Sequence, residues 1–342
     1  AQGHRVFQHP NHVAAISAQG TFVPPTLIEL NHISELQREV FGPVLHLVRY
    51  ARNDLDQLLD QINATGYGLT QGVHTRIDET IARVVNRAHA GNVYVNRNMV
   101  GAVVGVQPFG GEGLSGTGPK AGGPLYLLRL LSQRPADALA RTFADADRAT
   151  PPEEAVRERL LAPLATLQQW AQIQGNAALA NTCQQFAQQT QSGTARTLPG
   201  PTGERNVYTL APRARVLCLA RSVDDLLVQT AAVLATGGTA LWPSAQASQR
   251  TPLPTLVQAQ IQLQDNTLND GTLELDAVLH HGDAPSLQAV CTALARRAGP
   301  IVGVTALQPG ATDIPLERLL IERALSVNTA AAGGNASLMT IG

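Results

Sequence analysis

The sequence of 342 residues is poor in cysteine, in aromatic side chains and in net charge. Its three cysteines, Cys183, Cys218 and Cys291, are too few and too scattered for a disulfide framework or a zinc site, which favours a reducing, cytoplasmic setting. Aromatic residues make up 4% of the chain, so no stacking platform is expected. A net charge of −1 gives no basic footprint, and no nucleic-acid partner is expected.

Long apolar runs are also missing. No run reaches the length that spans a membrane, and the first residues lack the apolar core of a signal peptide. The chain begins with Ala1 instead of Met, which is expected of a fragment or a processed chain. Three histidines lie near the start, but no partner ligand follows at motif spacing, so no metal site is predicted. The 44% of apolar residues suffices for two domains of ordinary size.

What the sequence does have is a stretch rich in glycine and proline at residues 107–124. Gly111–Gly116 spells the GxGxxG pattern, but proline and glycine follow at once and prevent the helix that a dinucleotide site needs. Successive glycine amides and the hydroxyls of Ser115 and Thr117 predict a cradle for a carboxylate instead. Lys120 is expected to supply positive charge from the edge. The alternative is a structural loop without a ligand.

A second motif lies at residues 37–44, immediately before an apolar strand at 45–48. It places Glu39 two residues before Phe41, at a Gly-Pro turn. A carboxylate in such a turn is usually a solvated residue. An ionised carboxylate can also accept more than one hydrogen bond at once.

Regular elements connect the two motifs. Leucine and isoleucine at helical spacing predict a helix from Asn53 or Asp54 to Asn63. A second helix is predicted from about Asp78 to His89, ended by Gly91. A strand over residues 92–96 then leads into the glycine-rich stretch.

The two motifs, about seventy residues apart with these elements between them, resemble the second half of the catalytic domain of the aldehyde dehydrogenase superfamily. More narrowly they are similar to the L-glutamate γ-semialdehyde (pyrroline-5-carboxylate) dehydrogenases. The resemblance implies that Ser115 and Gly116 bind the α-carboxylate of the substrate. It further implies that Glu39 binds the nicotinamide ribose of NAD and that Phe41 packs beside it.

One departure from this family concerns the chemistry. The family uses a thiolate that attacks the aldehyde, and this nucleophile lies well before the Glu-x-Phe-Gly-Pro motif. Only 38 residues precede Glu39, and none is cysteine. The general base and the nucleotide-binding domain would lie further upstream. No catalytic residue is therefore predicted in this chain, which is expected to be inactive alone.

The remainder of the chain is predicted to be helical and then α/β. Residues 136–205 form a connector with helices at about 154–170 and 177–189. A strand at Val216–Ala220, a helix that begins at Ser222 and a strand at Thr239–Trp242 form a βαβ unit of Rossmann type. Asp225, three residues after Ser222, suggests a capping box. The turn between strand and helix contains no glycine, so no pyrophosphate is expected there.

The end of the chain contains a short internal repeat. Leu325–Asn328 followed by Gly333 parallels Tyr94–Asn96 followed by Gly101. With this repeat, the whole chain resembles the carboxyl-terminal portion of the long-form proline utilisation A family. The implied fold is α/β: a partial aldehyde dehydrogenase catalytic domain (1–135), a helical connector (136–205), and a degenerate, Rossmann-like, non-catalytic domain (206–342). Its last residues would dock as a strand or lid over a tunnel.

This resemblance also implies a function. The chain would belong to a bifunctional proline-catabolic enzyme that oxidises L-glutamate γ-semialdehyde to glutamate with NAD. FAD would be needed only in the absent proline dehydrogenase part. The expected partners are the upstream proline dehydrogenase and nucleotide-binding segments, and further copies of the enzyme as a homo-oligomer. Two alternatives are a non-catalytic lid or docking module and an unrelated NAD-binding protein, which would need a helix starting near Gly116.

Overall fold

A computed structural model describes residues 3–8, 20–131, 134–135, 138–143, 149–150, 152–265, 268, 271 and 273–330. The first part of the chain begins with a small sheet. Its strands are β1 (Arg5–Gln8), β2 (Thr26–Leu30) and β3 (Val44–Val48). The middle strand, β2, pairs antiparallel with β1 and parallel with β3. The prolines Pro24 and Pro25 precede β2, so they lie at its entry, where a missing backbone donor is tolerated.

The elements that follow agree with the expected order. They are α1 (Leu55–Ala64), β4 (Tyr67–Gly68), β5 (Thr70–Val73), α2 (Asp78–Arg87), β6 (Asn92–Val95) and β7 (Glu112–Gly113). Helix α2 ends two residues before the predicted His89. The Asn63 side chain causes this early end, because its amide donates to the Arg87 carbonyl at 2.8 Å and its oxygen accepts from the His89 amide at 3.0 Å.

The central part contains two long helices that pack on each other. The elements are α3 (Ala138–Thr142), β8 (Ala149–Thr150), α4 (Glu154–Ile173), α5 (Ala177–Gln189), β9 (Ala195–Leu198) and β10 (Glu204–Pro212). The bounds of α5 are those predicted from the sequence. The Asn176 side chain caps this helix by accepting a hydrogen bond from the Leu179 amide at 3.0 Å.

The last part contains the Rossmann-like unit. The elements of this last part of the chain are β11 (Arg215–Leu219), α6 (Val223–Thr236), β12 (Thr239–Pro243), α7 (Ala247–Arg250), α8 (Thr255–Gln258), β13 (Ile261–Gln264), β14 (Ala277–His281), α9 (Ala284–Ala295), β15 (Gly303–Leu307) and β16 (Leu320–Asn328). Five strands form a parallel sheet in the order β13-β12-β11-β14-β15. The predicted βαβ unit is confirmed, because β11 and β12 are parallel neighbours joined by the buried helix α6.

The cap of α6 is only half of the predicted capping box. The Ser222 hydroxyl accepts a hydrogen bond from the Asp225 amide at 3.1 Å. The Asp225 carboxylate accepts instead from the Gly310 amide at 2.8 Å. Its side chain therefore ties the helix start to the segment after β15, and the reciprocal bond of a capping box is not made.

A six-stranded sheet joins residues from all three sequence regions, in the order β5-β6-β16-β10-β9-β8. Strand β16 lies between β10, which is antiparallel to it, and β6, which is parallel. Val327 faces Val95 in the register, so the two copies of the internal repeat lie side by side. The Asn328 side-chain amide also donates to the Asn96 carbonyl at 3.2 Å. Gly333 and the other residues at 331–342 of the predicted strand or lid lie outside the described residues.

The main hydrophobic core lies where α4, α5 and α6 pack together and against the parallel sheet. A smaller cluster of Ala88, Ala90 and Val93 supports β6. In the part of the chain that the structure describes, no helix has both the length and the apolar character needed to cross a bilayer. The boundaries predicted at residues 135 and 205 stay a prediction.

Candidate functional site

The glycine loop, defined here as residues 110–120, is closed at its base, where the chain enters and leaves the loop. Phe109 and Ala121 exchange two backbone hydrogen bonds of 3.0 and 2.8 Å at that base. A Cβ atom on Gly111 would lie 2.7 Å from Ser115 Cβ, and Gly113 has a φ of +65°. Glycine is therefore needed at both positions, because the backbone turns back on itself too tightly for a side chain.

Ser115 and Gly116 lie together at the turn of this loop. The Ser115 hydroxyl oxygen accepts a hydrogen bond from the Gly68 amide at 3.0 Å, which fixes its position. The Ser115 proton remains available to a ligand. Within the described residues, the amides of Gly116 and Thr117 donate to no protein acceptor, and both residues are exposed. One hydroxyl and two amides are thus free to bind an anion.

The expectation that Lys120 supplies charge from the edge of the loop is wrong. This lysine, the only one in the sequence, is 2% exposed. Its ammonium donates to Asn92 Oδ1 at 2.9 Å and to the Gly110 carbonyl, inside the loop. Burial lowers the pKa of Lys120 to about 8, and the carboxylates of Glu322 and Glu112 oppose this shift.

A buried carboxylate from β16 connects to the same lysine. Glu322 Oε2 accepts a hydrogen bond from the Lys120 backbone amide at 2.7 Å, and Glu322 Oε1 accepts from the Tyr208 hydroxyl at 2.7 Å. Burial raises the pKa of Glu322, while these hydrogen bonds act in the opposite direction. The sequence analysis did not identify this group. The feature that could have identified Glu322 is its place in the strand: it is a glutamate at an inward-facing position of β16, whose residues alternate between buried and partly exposed.

Glu39 and Phe41 lie on the exposed turn before β3. The Phe41 side chain is 88% exposed. Within the described residues, the Glu39 carboxylate makes no hydrogen bond and no ion pair. Gly42 takes a φ of +128° in this turn, and the Pro43 carbonyl accepts from the Thr26 amide at 2.8 Å. The turn therefore holds both side chains toward solvent.

The predicted substrate pair, Ser115 and Gly116, contributes Gly116 to one of two cavities, whereas the predicted cofactor pair, Glu39 and Phe41, lines neither. A cavity of about 420 Å³, the junction cavity, is lined in part by Gly116 and Thr117. A second cavity of about 520 Å³ is lined in part by Gln37, Arg38 and Val40. Neither lining contains members of both pairs. Helix α1 lies between the two cavities. It contacts the 3-10 helix at Ile33–Glu35 on one side, and on the other it contacts β4, which pairs with the glycine loop.

The carboxyl edge of the parallel sheet is occupied by protein side chains. In sheets of this order a dinucleotide binds between the first and fourth strands, here β11 and β14. His281 is buried at that place; its Nδ1 lies 2.9 Å from Gln229 Nε2 and its Nε2 lies 2.8 Å from the Ala311 carbonyl. These residues, and the turn without glycine, do not fit a dinucleotide.

None of the three cysteines resembles an activated nucleophile. Cys183 and Cys218 are fully buried, and burial raises the pKa of Cys183 to about 12 and raises that of Cys218 as well. A thiol in such surroundings stays protonated and unreactive. Cys291 is exposed on α9, and no cysteine lines either cavity.

Comparison with known proteins bears on the family and the fold of the chain. Residues 1–134 match the model of the aldehyde dehydrogenase family. The bifunctional protein PutA of Salmonella typhimurium is 61% identical over 327 residues, which are 94% of this chain and 24% of that protein. A 1-pyrroline-5-carboxylate dehydrogenase of Staphylococcus aureus is 43% identical over 119 residues, which are 34% of this chain and 23% of that protein.

A solved structure supports the fold across the chain. Proline utilization A (PutA) from Corynebacterium freiburgense matches with a TM-score of 0.62 at 21% identity, covering 98% of this chain and 30% of that one. The chain thus spans about a quarter of the length of the PutA protein that it matches at 61% identity. Residues 1–134 thus match the aldehyde dehydrogenase family, and over 94% of its length the chain is similar to a segment of a bifunctional PutA protein.

Proposed function

We propose that the chain is the distal part of an NAD-dependent L-glutamate γ-semialdehyde dehydrogenase within a bifunctional proline-catabolic enzyme. The names of its relatives, a bifunctional PutA and a 1-pyrroline-5-carboxylate dehydrogenase, support this assignment. The observation that carries it is the glycine loop, where Ser115 is fixed by the Gly68 amide and two neighbouring amides have no acceptor among the described residues.

The α-carboxylate of the semialdehyde is the proposed ligand of this loop. It would accept hydrogen bonds from the Ser115 hydroxyl and from the amides of Gly116 and Thr117. Backbone amides and a hydroxyl suit a carboxylate because hydrogen bonds to an ionised acceptor are stronger than bonds between neutral groups. The loop would thereby orient the aldehyde end of the substrate away from Ser115, toward the part of the enzyme that supplies the thiolate.

Glu39 and Phe41 are the proposed contacts of NAD. Within the described residues the Glu39 carboxylate has no protein partner, so it can accept from the two vicinal hydroxyls of a ribose, and the exposed ring of Phe41, two positions on, can pack on a flat nicotinamide. When bound, NAD accepts the hydride that leaves the substrate. The role of this chain is to hold the ribose. The Rossmann-like unit takes no part in nucleotide binding in this proposal.

We further propose that the chain acts only together with upstream proline dehydrogenase and nucleotide-binding segments, in a cytoplasmic homo-oligomer. FAD would belong to the proline dehydrogenase segment. The buried, unreactive state of Cys183 and Cys218 supports the view that the nucleophile is supplied by another segment. Semialdehyde oxidation by the isolated chain would contradict this view. It would also exclude the lid or docking alternative, because that alternative is non-catalytic.

The test compares Ser115→Ala with Ser248→Ala, an exposed serine on α7, in the complete enzyme. Loss of one hydrogen bond to a charged group removes about 1.5–3 kcal/mol. We expect kcat/KM for the semialdehyde to fall about 10- to 100-fold in Ser115→Ala, mainly through KM. Oxidation of an aldehyde without an α-carboxylate should stay unchanged, as should both substrates in Ser248→Ala. An unchanged kcat/KM for the semialdehyde would refute the assignment.

A parallel test addresses the cofactor. Glu39→Gln keeps the size of the side chain but weakens its two hydrogen bonds to the ribose, so KM for NAD should rise while KM for the semialdehyde stays constant. Glu154→Gln, an exposed glutamate at the start of α4, is the matched control. An equal KM for NAD in the two variants would show that Glu39 does not contact the cofactor.

A further inference from the structure

The junction cavity lies behind the glycine loop, on the side that faces the Rossmann-like unit. One wall is formed by residues 116–120 of the loop, and the opposite wall by the starts of β14 and β15, including Ala277 and Gly303. These strands meet the cavity with their amino-terminal ends. The cavity therefore lies at the edge of the sheet opposite to the one where a Rossmann unit binds a dinucleotide.

Three arginines line this cavity: Arg129, Arg213 and Arg318. Arg213 donates only to backbone carbonyls, at 3.0 Å to Arg318, 3.2 Å to Asp276 and 3.3 Å to Thr117. Within the described residues, the side chains of Arg129 and Arg318 make no ion pair and no hydrogen bond. Three guanidinium groups thus share one cavity without a carboxylate bonded to any of them.

The carboxylates in the lining already have other partners. Glu112 lies 3.0 Å from Arg323, Glu317 lies 3.2 Å from Arg134, and Glu322 accepts from Tyr208 and the Lys120 amide. Asp276 accepts from the Arg215 amide at 2.8 Å. Because Arg323 and Arg134 lie outside the lining, these carboxylates are bonded away from the three arginines. Within the described residues the guanidinium groups of Arg129 and Arg318 therefore remain to meet a ligand, and Arg213 keeps the N–H groups that its three carbonyl partners do not use.

The proximity of the three positive charges has an electrostatic consequence. Burial lowers the pKa of both Arg213 and Arg318. The charge of Arg129 lowers each of them further, while the charge of Asp276 raises the pKa of Arg213 and that of Glu317 raises the pKa of Arg318. Like charges that are brought together in this way destabilise one another, and an anion bound between them relieves the repulsion. The remaining lining includes Leu125, Leu128, Leu275 and Ile301, so it also offers apolar surface to a carbon skeleton.

We propose that the junction cavity binds a small organic anion whose carboxylate or phosphate group is held by Arg129, Arg213 and Arg318. Guanidinium groups bind both kinds of oxyanion with paired hydrogen bonds. The cavity shares Gly116 and Thr117 with the cradle assigned to the substrate, but Ser115 is not part of its lining and the three arginines are not part of the cradle. The two sites share the loop backbone, since Arg213 holds the Thr117 carbonyl.

Isothermal titration of the 342-residue chain at low ionic strength tests this proposal, with benzoate and phenyl phosphate as probes. We expect saturable binding of one molecule of at least one probe. Binding of benzoate alone identifies a carboxylate ligand, and binding of phenyl phosphate alone identifies a phosphate ester. The absence of saturable binding of either probe up to about 10 mM, a limit set by weak millimolar affinity, would overturn the proposal.

Variants locate the probe. Arg129 and Arg318 are exposed, so Arg129→Gln with Arg318→Gln should leave the fold intact while it weakens binding at least tenfold. Arg76→Gln, an exposed arginine outside both cavities, is the matched control and should bind like the parent chain. Ser115→Ala should also bind normally. Equal affinity in the double arginine variant would contradict the proposed site and leave the dehydrogenase assignment unaffected. Lost binding in Ser115→Ala would also contradict the proposed site, because it would locate the probe in the cradle assigned to the substrate.

Discussion

Lys120 is the single lysine of the sequence, so its protonation in the buried cluster behind the glycine loop can be measured directly. Lys120 is 2% exposed, and its ammonium is bonded to Asn92 and Gly110. Burial lowers its pKa from the ordinary 10.5 to about 8. We therefore predict that Lys120 releases its proton near pH 8 in the folded chain, and that Lys120→Met changes how stability depends on pH.

The size of the effect follows from this shift. The difference between 10.5 and about 8 corresponds to about 3 kcal/mol. Below pH 8 the lysine is protonated in both the folded and the unfolded chain, so burial of the charge destabilises the fold by this full amount. Between pH 8 and 10.5 the unfolded chain keeps a proton that the folded chain has released, so the free energy of unfolding rises with pH.

The assay has two parts. Isotope-labelled lysine gives one NMR signal from one residue, and its titration midpoint should lie near pH 8. Urea unfolding of the parent chain and of Lys120→Met, from pH 7 to 10.5, should show the parent gaining up to about 3 kcal/mol on the variant. Titrations common to both chains cancel in this difference. Glu322 raises the pKa of Lys120, so Glu322→Gln should move the midpoint still lower.

Two results would refute this reasoning. A lysine signal that titrates near its ordinary value would mean that the ammonium is solvated and that the loop does not bury it. Parallel pH curves for the parent chain and Lys120→Met would mean that its proton affinity is the same in the folded and unfolded states.

Three further predictions concern local structure. Ser222→Ala removes the cap of α6 and should lower the free energy of unfolding in urea by about 1 kcal/mol, whereas an equal loss in Ser248→Ala would contradict this. Tyr208→Phe removes a donor to Glu322 and should cost about 1–3 kcal/mol, more at pH values where Glu322 is charged; no loss would mean water replaces the hydroxyl. Gly113→Ala should open the glycine loop to proteases, since its Cβ would lie 2.3 Å from the Gly66 carbonyl oxygen, and unchanged cleavage would refute this.

The sequence by itself determined the local elements and the family. The bounds of α5, the start of α6 at Ser222 and the glycine loop depend on caps, spacing and glycines within a few residues of each other. Such signals are readable because their physical cause is local. The motif around Ser115 likewise identified the family before any coordinates, and the roles of Ser115, Gly116, Glu39 and Phe41 stay predictions.

Only the tertiary structure decided which distant groups meet. Lys120 and Glu322 are 202 residues apart, and the location of Lys120 inside the loop instead of at its edge depends on β16 lying beside β6. The repeat that links these two strands was visible in the sequence, but their pairing was not. A sequence pattern specifies which face of a strand is buried. The packing of the whole chain selects the neighbouring strand that pairs with the backbone N–H and C=O groups of that strand and the partners of its buried charges.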